Sequence, residues 1–160
     1  MKQIILSIWL CILLYPIESY AESDAEYHCL VEAIYFEARS ESQIGQLAVA
    51  NVILERVRQL SYPDTICRVV HQWKGHPKLN GCSFSYYCDG KKEVMHEKEA
   101  LLLAMDIATL ALDGAVVEDI WGATHYHTRY VEPYWIDQMF YVGSIGDHMF
   151  YERSYFYDEH

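Results

Sequence analysis

A carboxyl group set among apolar neighbours is the first place in this chain where chemistry could reside. Glu37 closes the uncharged stretch Ala33-Ile34-Tyr35-Phe36. Desolvation penalises the charged form, so such a group is held protonated towards neutral pH and can act as a general acid. On local chemistry alone, an ion pair with Arg39 or a cap on the following helix competes with that role. Glu41 stands four residues on, and on a continuous helix the two carboxyls would share a face. Glycoside hydrolysis commonly uses two carboxylates flanking the bond. Ser40 and Ser42 favour a helix break between them, so Glu41 reads first as an acid at a helix N-terminus and second as catalytic support.

Three further groups carry chemistry. The run Cys82-Ser83-Phe84-Ser85-Tyr86-Tyr87-Cys88-Asp89-Gly90 mixes aromatic faces with hydroxyls and a carboxylate. Sugars are held in that way, ring against apolar face and hydroxyl against polar edge, although loop aromatics also form satellite cores. His125 and His127 flank Tyr126, so on a strand both imidazoles face one side. With His148 or a carboxylate they could bind zinc, and polar surface is the alternative. Asn51 interrupts an apolar helical face; a buried amide needs partners, so it reads as a tie between helix and loop or as a substrate contact, and Arg56 invites a similar reading.

The elements that would position these groups follow from periodicity. Ser23 and Glu26 form a capping box that predicts a helix from about Asp24 to Ala38, with Leu30, Val31, Ile34, Tyr35 and Ala38 at helical spacing. Ser40 with Gln43 forms a second possible box. The segment from Gln43 to Gln59 is apolar on so broad a surface that it predicts a buried central helix. Tyr62-Pro63-Asp64 is a turn and Thr65 to Gln72 a short helix. From Trp73 to Lys92 periodicity stops, and a long aromatic loop carrying two cysteines is expected to bind something. Glu97 to Leu112 predicts a third long helix with Leu101, Met105, Ala108 and Leu112 on its stripe, ended by Asp113-Gly114. Beyond it, Gly122 to Trp135, Phe140 to Val142 and His148 to Tyr151 read as strands turning at Pro133 and Gly143. The fold class is therefore α+β, a helical core with a small sheet or hairpin.

Bulk properties narrow the setting. Met1 and Lys2, the apolar run Ile4 to Tyr15, Pro16 and Ser19-Tyr20-Ala21 make residues 1–21 a signal peptide, with an uncleaved anchor as the alternative. Its removal would leave residues 22–160, enough for one domain. The net charge of −11 argues against a nucleic-acid partner, which calls for clustered Lys and Arg. Cys11 would leave with the leader. Cys29, Cys67, Cys82 and Cys88 then suggest two disulfides in an oxidising compartment. Three pairings are possible; the short spacing favours Cys82 with Cys88, leaving Cys29 with Cys67. A zinc site of Cys82, Cys88, His71 and His76 is the rival, with a spacing that fits no common zinc motif.

Taken in order, Tyr35-Phe36-Glu37-Ala38-Arg39-Ser40-Glu41 and Gly45-Gln46-Leu47-Ala48-Val49-Ala50-Asn51-Val52-Ile53-Leu54-Glu55-Arg56-Val57 resemble the core motif of the SleB-type cell wall hydrolases, the spore cortex-lytic family and its relatives outside spore formers. Tyr62-Pro63-Asp64-Thr65-Ile66-Cys67, the 82–90 loop, Gly122-Ala123-Thr124-His125-Tyr126-His127 and Ile145-Gly146-Asp147-His148-Met149-Phe150-Tyr151 resemble its later blocks. The resemblance implies a domain related to lysozymes and lytic transglycosylases. It would act on peptidoglycan between N-acetylmuramic acid and N-acetylglucosamine, with Glu37 as acid/base. Glu41, Ser85, Asp89 and Tyr126 are candidates for support, and Asn51, Phe84, Tyr86, His125, His127 and Trp135 for substrate contacts. A monomer without metal or other cofactor, periplasmic or secreted, is expected. The separate wall-binding module of many relatives in spore formers is not expected here. The competing functions are a zinc-dependent N-acetylmuramoyl-L-alanine amidase built on His125 and His127, and a non-catalytic wall-binding module.

Overall fold

In the computed structural model the described residues are 18–72 and 82–153, with side chains described from Ser23 onward. Four α-helices precede a three-stranded antiparallel sheet: α1 Glu18–Ala38, α2 Gln43–Arg58, α3 Ile66–Val70, α4 Lys98–Leu112, then β1 His125–Thr128, β2 Met139–Ile145 and β3 His148–Arg153. Short 3₁₀ turns cover Ser85–Cys88, Glu118–Ile120 and Ile136–Gln138.

The breadth of the apolar surface on α2 is explained by two cores, one on each side of it. Val49, Ala50 and Ile53 join Leu30, Val31, Ile34, Val69, Val70, Ile107 and Phe84 between the helices. Ala48 and Val52 face the sheet side instead, with Val117, Ile120, Ala123 and Phe150. Full burial of a Val or Ile side chain contributes roughly 1.5–3 kcal/mol, so α2, with residues in each core, joins both halves of the domain.

Local signals set the helix limits less directly. The N-cap of α2 is Ser42, whose Oγ accepts from the Gly45 N–H at 3.3 Å, two residues later than the Ser40 box suggests. Helix α1 begins at Glu18, upstream of Ser23, so Ser23 and Glu26 do not cap it. The Glu26 carboxylate instead accepts from the N–H groups of Ile66 and Cys67 and caps α3 from a distance. On α4 the inward stripe is Ala104, Ile107, Ala108 and Ala111, while Leu112 is exposed; the small residues let α4 approach α1 and α2 closely.

The sheet order is β1-β3-β2, with Tyr126 opposite Phe150 and His125 opposite Tyr151. The turn between β2 and β3 is at Gly146, whose φ of 57° suits glycine. Gly143, expected as a turn, sits beside a register shift within β2, and a Cβ there would come 2.8 Å from the Asp119 carbonyl. Its role is close backbone approach. Cys29 is bonded to Cys67, tying α1 to α3, and Cys82 to Cys88.

Candidate active site

Glu37 lies in the last turn of α1, half-buried, where strand β1 and the Ser85–Cys88 turn converge on it. The Tyr126 hydroxyl donates to its Oε2 at 3.2 Å, and the Ser85 backbone N–H donates to the same carboxylate. Burial pushes its pKa above the ordinary carboxylate value, against the lowering effects of Tyr126, the Arg56 charge and Ser85, in that order. Desolvation wins, which leaves a carboxyl that can carry a proton at higher pH than a surface glutamate. The ion pair with Arg39 does not form. Arg39 pairs with Glu97 at 3.2 Å and lies over the Tyr35 ring.

Arg56 is a further charged group at this site, one that the sequence offered only as a tie like Asn51. It is 7 % exposed, projects from α2 and donates through Nε to the Thr124 carbonyl at 2.7 Å. Its guanidinium lies over the rings of Tyr62 and Phe84, 5.6 and 5.4 Å from their centroids. Burial lowers its pKa, while Tyr62, Tyr126 and Glu37 pull it up; a guanidinium in such company stays charged. It therefore supplies a fixed positive field near Glu37. The available signal was a basic residue four after Val52 and three after Ile53 on an apolar helix face.

The remaining candidates divide sharply. Tyr126 touches Glu37, and burial followed by the Glu37 charge raises its phenol pKa well above the usual tyrosine value, so it remains a proton donor. Tyr86 stacks on Phe36, with centroids 4.8 Å apart, and burial likewise raises its pKa. At 9 % exposed it packs behind the site and offers little face to a sugar, and Phe84, at 1 % exposed, offers none. Both belong to the helical core. Ser85 is exposed and contributes its backbone N–H.

Asn51 lies outside the cluster. Its Nδ2 donates to the Ala115 carbonyl at 2.9 Å and its Oδ1 accepts from the Val117 N–H at 2.8 Å, so the amide serves as a helix-to-loop tie. Asp89 is exposed and held by Lys91, its carboxylate accepting from the Lys91 backbone N–H at 2.8 Å. Glu41 lies under the β2–β3 turn, its Oε1 3.8 Å from His148 Nδ1 and its Oε2 accepting from the Asp147 N–H.

His125, His127 and Trp135 do gather on the outer sheet face. The Trp135 ring lies 5.2 Å from His125 and 5.7 Å from His127, and His127 stacks on Tyr151. His125 also meets Tyr62, so aromatic rings run from the Arg56 guanidinium outward to Trp135. Both ring nitrogens of His127 are engaged, with the Thr128 carbonyl at 2.8 Å and the Tyr151 hydroxyl at 3.0 Å. His125 Nδ1 lies 2.9 Å from Thr124 Oγ1. Of the rival zinc set, Cys82 and Cys88 are bonded to each other and His76 lies outside the described residues.

The sequence profile of the Cell Wall Hydrolase family matches residues 40–151, from just after Glu37 into β3. The chain belongs to the cell wall hydrolase family. A spore cortex-lytic enzyme from Halalkalibacterium halodurans is 30 % identical over 129 residues, covering 80 % of this chain and 35 % of the relative. One from Bacillus cereus is 29 % identical over 136 residues, covering 82 % and 45 %. This cell wall hydrolase thus spans less than half the length of these curated relatives. Among solved structures, the catalytic domain of the germination-specific lytic transglycosylase SleB from Bacillus anthracis matches with a TM-score of 0.60 at 26 % identity, covering 79 % of this chain and 93 % of that one. The catalytic domain of the Bacillus cereus SleB protein gives 0.57 at 26 % identity, covering 79 % and 89 %. The shared fold is lysozyme-like: a helical core with a small antiparallel sheet.

Proposed function

We propose that this domain cleaves peptidoglycan glycan strands between N-acetylmuramic acid and N-acetylglucosamine, with Glu37 as the single acid/base. The observation that carries the reading is the half-buried Glu37 carboxyl, raised in pKa by desolvation yet held by two donors, Tyr126 and the Ser85 N–H. Protonated, Glu37 donates to the glycosidic oxygen as the bond breaks and an oxocarbenium-like centre develops. The resulting carboxylate is stabilised by the same two donors and by the Arg56 charge, then takes a proton from the attacking hydroxyl. Glu41 is turned under the β2–β3 turn and Asp89 is bound to Lys91, so neither supports a second-carboxylate mechanism. That favours attack by the muramic acid 6-hydroxyl, giving a 1,6-anhydro end as a lytic transglycosylase does. The ring track from Tyr62 through His125 to Trp135 is the candidate sugar-binding wall.

Digestion of purified peptidoglycan followed by mass spectrometry of the soluble products tests this: anhydro-muramyl ends are expected. Reducing ends would make it a muramidase, free stem peptides an amidase, and no release a binding module. The amidase reading gains nothing from His125 and His127, whose imidazoles are engaged within the sheet. The proposal of export rests on the apolar run Ile4 to Tyr15 and the small residues Ser19 and Ala21; residues 1–17 lie outside the described residues. The enzyme is proposed to act in the periplasm or outside the cell, as a monomer and without a cofactor. Among the described residues no helix is long and apolar enough to cross a membrane.

A further inference from the structure

The half-buried Glu41 and the buried His148 lie side by side behind Tyr126, the residue that holds Glu37. His148, 4 % exposed on β3, presents Nδ1 3.8 Å from Glu41 Oε1. Its ring meets Tyr126 edge to face, with centroids 5.1 Å apart, and Phe150 flanks the same tyrosine at 5.9 Å. The Tyr126 hydroxyl then donates to Glu37. At the other end, Glu41 Oε2 accepts from the Asp147 N–H at 3.4 Å. Two glycines leave room for it. A Cβ at Gly146 would come 2.0 Å from Glu41 Oε2, and one at Gly45 would come 3.0 Å from Glu41 Cβ. A carboxylate enclosed by two glycines and aimed at a buried imidazole is more than a helix-start acid.

We infer that Glu41 and His148 are positioning residues, which fix the Tyr126 ring so that its hydroxyl stays on Glu37. The inference rests on Glu37 being the acid/base. Through this chain the α1–α2 junction and the β2–β3 turn, far apart in sequence, jointly set the orientation of one phenol. Pre-organisation of this kind decides whether a catalytic hydrogen bond is present before substrate arrives. Neither side chain touches the reacting atoms.

The test is the titration of Glu37, followed by carbon-detected NMR of selectively labelled protein, in wild type, Glu41→Ala, Tyr126→Phe and the double variant. The groups facing Glu37 are Tyr126 from β1, Arg56 from α2, and Tyr86 with the Ser85 N–H from the 3₁₀ turn. Those facing His148 are Glu41, Asp147 and His127. A phenol donor favours the carboxylate, so losing it raises the Glu37 midpoint. Both single variants are expected to move it upward, and the double variant no further than Tyr126→Phe alone, because the two act through one contact. Turnover of solubilised glycan should fall about tenfold or more in Glu41→Ala with KM little changed, and the alkaline limb should move to higher pH. Glu41→Gln, which keeps an acceptor for Asp147 and loses the charge beside His148, is the second variant should alanine unfold the domain. It should give a smaller shift of the same sign. An unmoved midpoint in a folded Glu41 variant, or additive shifts in the double variant, would overturn the inference. The titration needs no activity, so a wild-type protein that released no glycan would sink the proposed function and leave this result standing.

Discussion

At the residue scale, Glu37 combines a stability cost with the acid role proposed for it. Its carboxyl is pushed above the ordinary value by burial, so the folded domain binds a proton there more tightly than the unfolded chain does. The sign follows: whatever Glu37 contributes is most favourable below its unfolded pKa and is lost as pH rises through the raised folded value. Glu37→Gln removes the titration and keeps the shape. It is expected to lower glycan release by about a hundredfold or more, the range of general acid catalysis. Its melting temperature at neutral pH should be no lower than wild type, with the difference narrowing as the solution is acidified. Melts across pH alongside product assays check both halves, and normal cleavage by this variant would remove Glu37 from the mechanism.

At the scale of elements, Glu26 illustrates how a short helix is stabilised from elsewhere. Helix α3 is five residues long, too short to persist by itself, and has Thr65 Oγ1 accepting from Arg68 while Glu26 of α1 accepts from Ile66 and Cys67. Glu26→Ala leaves two first-turn N–H groups without that acceptor, and a loss of about 1 kcal/mol in chemical denaturation is expected, with Glu26→Gln recovering most of it. This residue also marks the limit of what the sequence made legible. Its spacing from Ser23 announces a helix start, and there is a helix, but the partner of a carboxylate is chosen by packing between segments forty residues apart. The same limit separates the outcomes elsewhere. The central position of α2 could be read because apolar residues on both faces require cover on both faces. Phe84 could not be placed, because an aromatic in a loop has no periodicity to tell core from cleft, and it went to the core. The β2–β3 turn was expected at Gly143 because glycine marks both turns and close backbone approach; only the neighbouring Asp119 carbonyl distinguishes them. The burial of Glu37 could be expected from its apolar surroundings, while its proposed role rests on the order of the blocks. Arg56 was passed over because a basic side chain on an apolar face reads as a tie until the rings beneath it are seen.

At the scale of the whole molecule, the two disulfides have different consequences. Cys29–Cys67 spans a separation of 38 residues and joins α1 to α3 beside the helical core, whereas Cys82–Cys88 spans 6. If chain entropy dominates, cross-linking restricts the unfolded ensemble in proportion to the logarithm of loop length, giving about 4 kcal/mol for the first and about 2 kcal/mol for the second. The shorter bridge, however, frames the turn that brings the Ser85 N–H to Glu37 and packs Tyr86 on Phe36. Stability and activity should therefore separate. Replacing Cys29 and Cys67 by serine is expected to lower the guanidinium midpoint more, while preserving turnover at temperatures where the domain stays folded. Replacing Cys82 and Cys88 should lower the midpoint less and turnover more, by about tenfold, since the Ser85 donor on the proposed acid, Glu37, is no longer held in place. Denaturation curves and initial rates on the two double variants decide it. Equal losses of rate in both would mean that the 82–88 turn is held by its packing against Phe36 and needs no covalent frame.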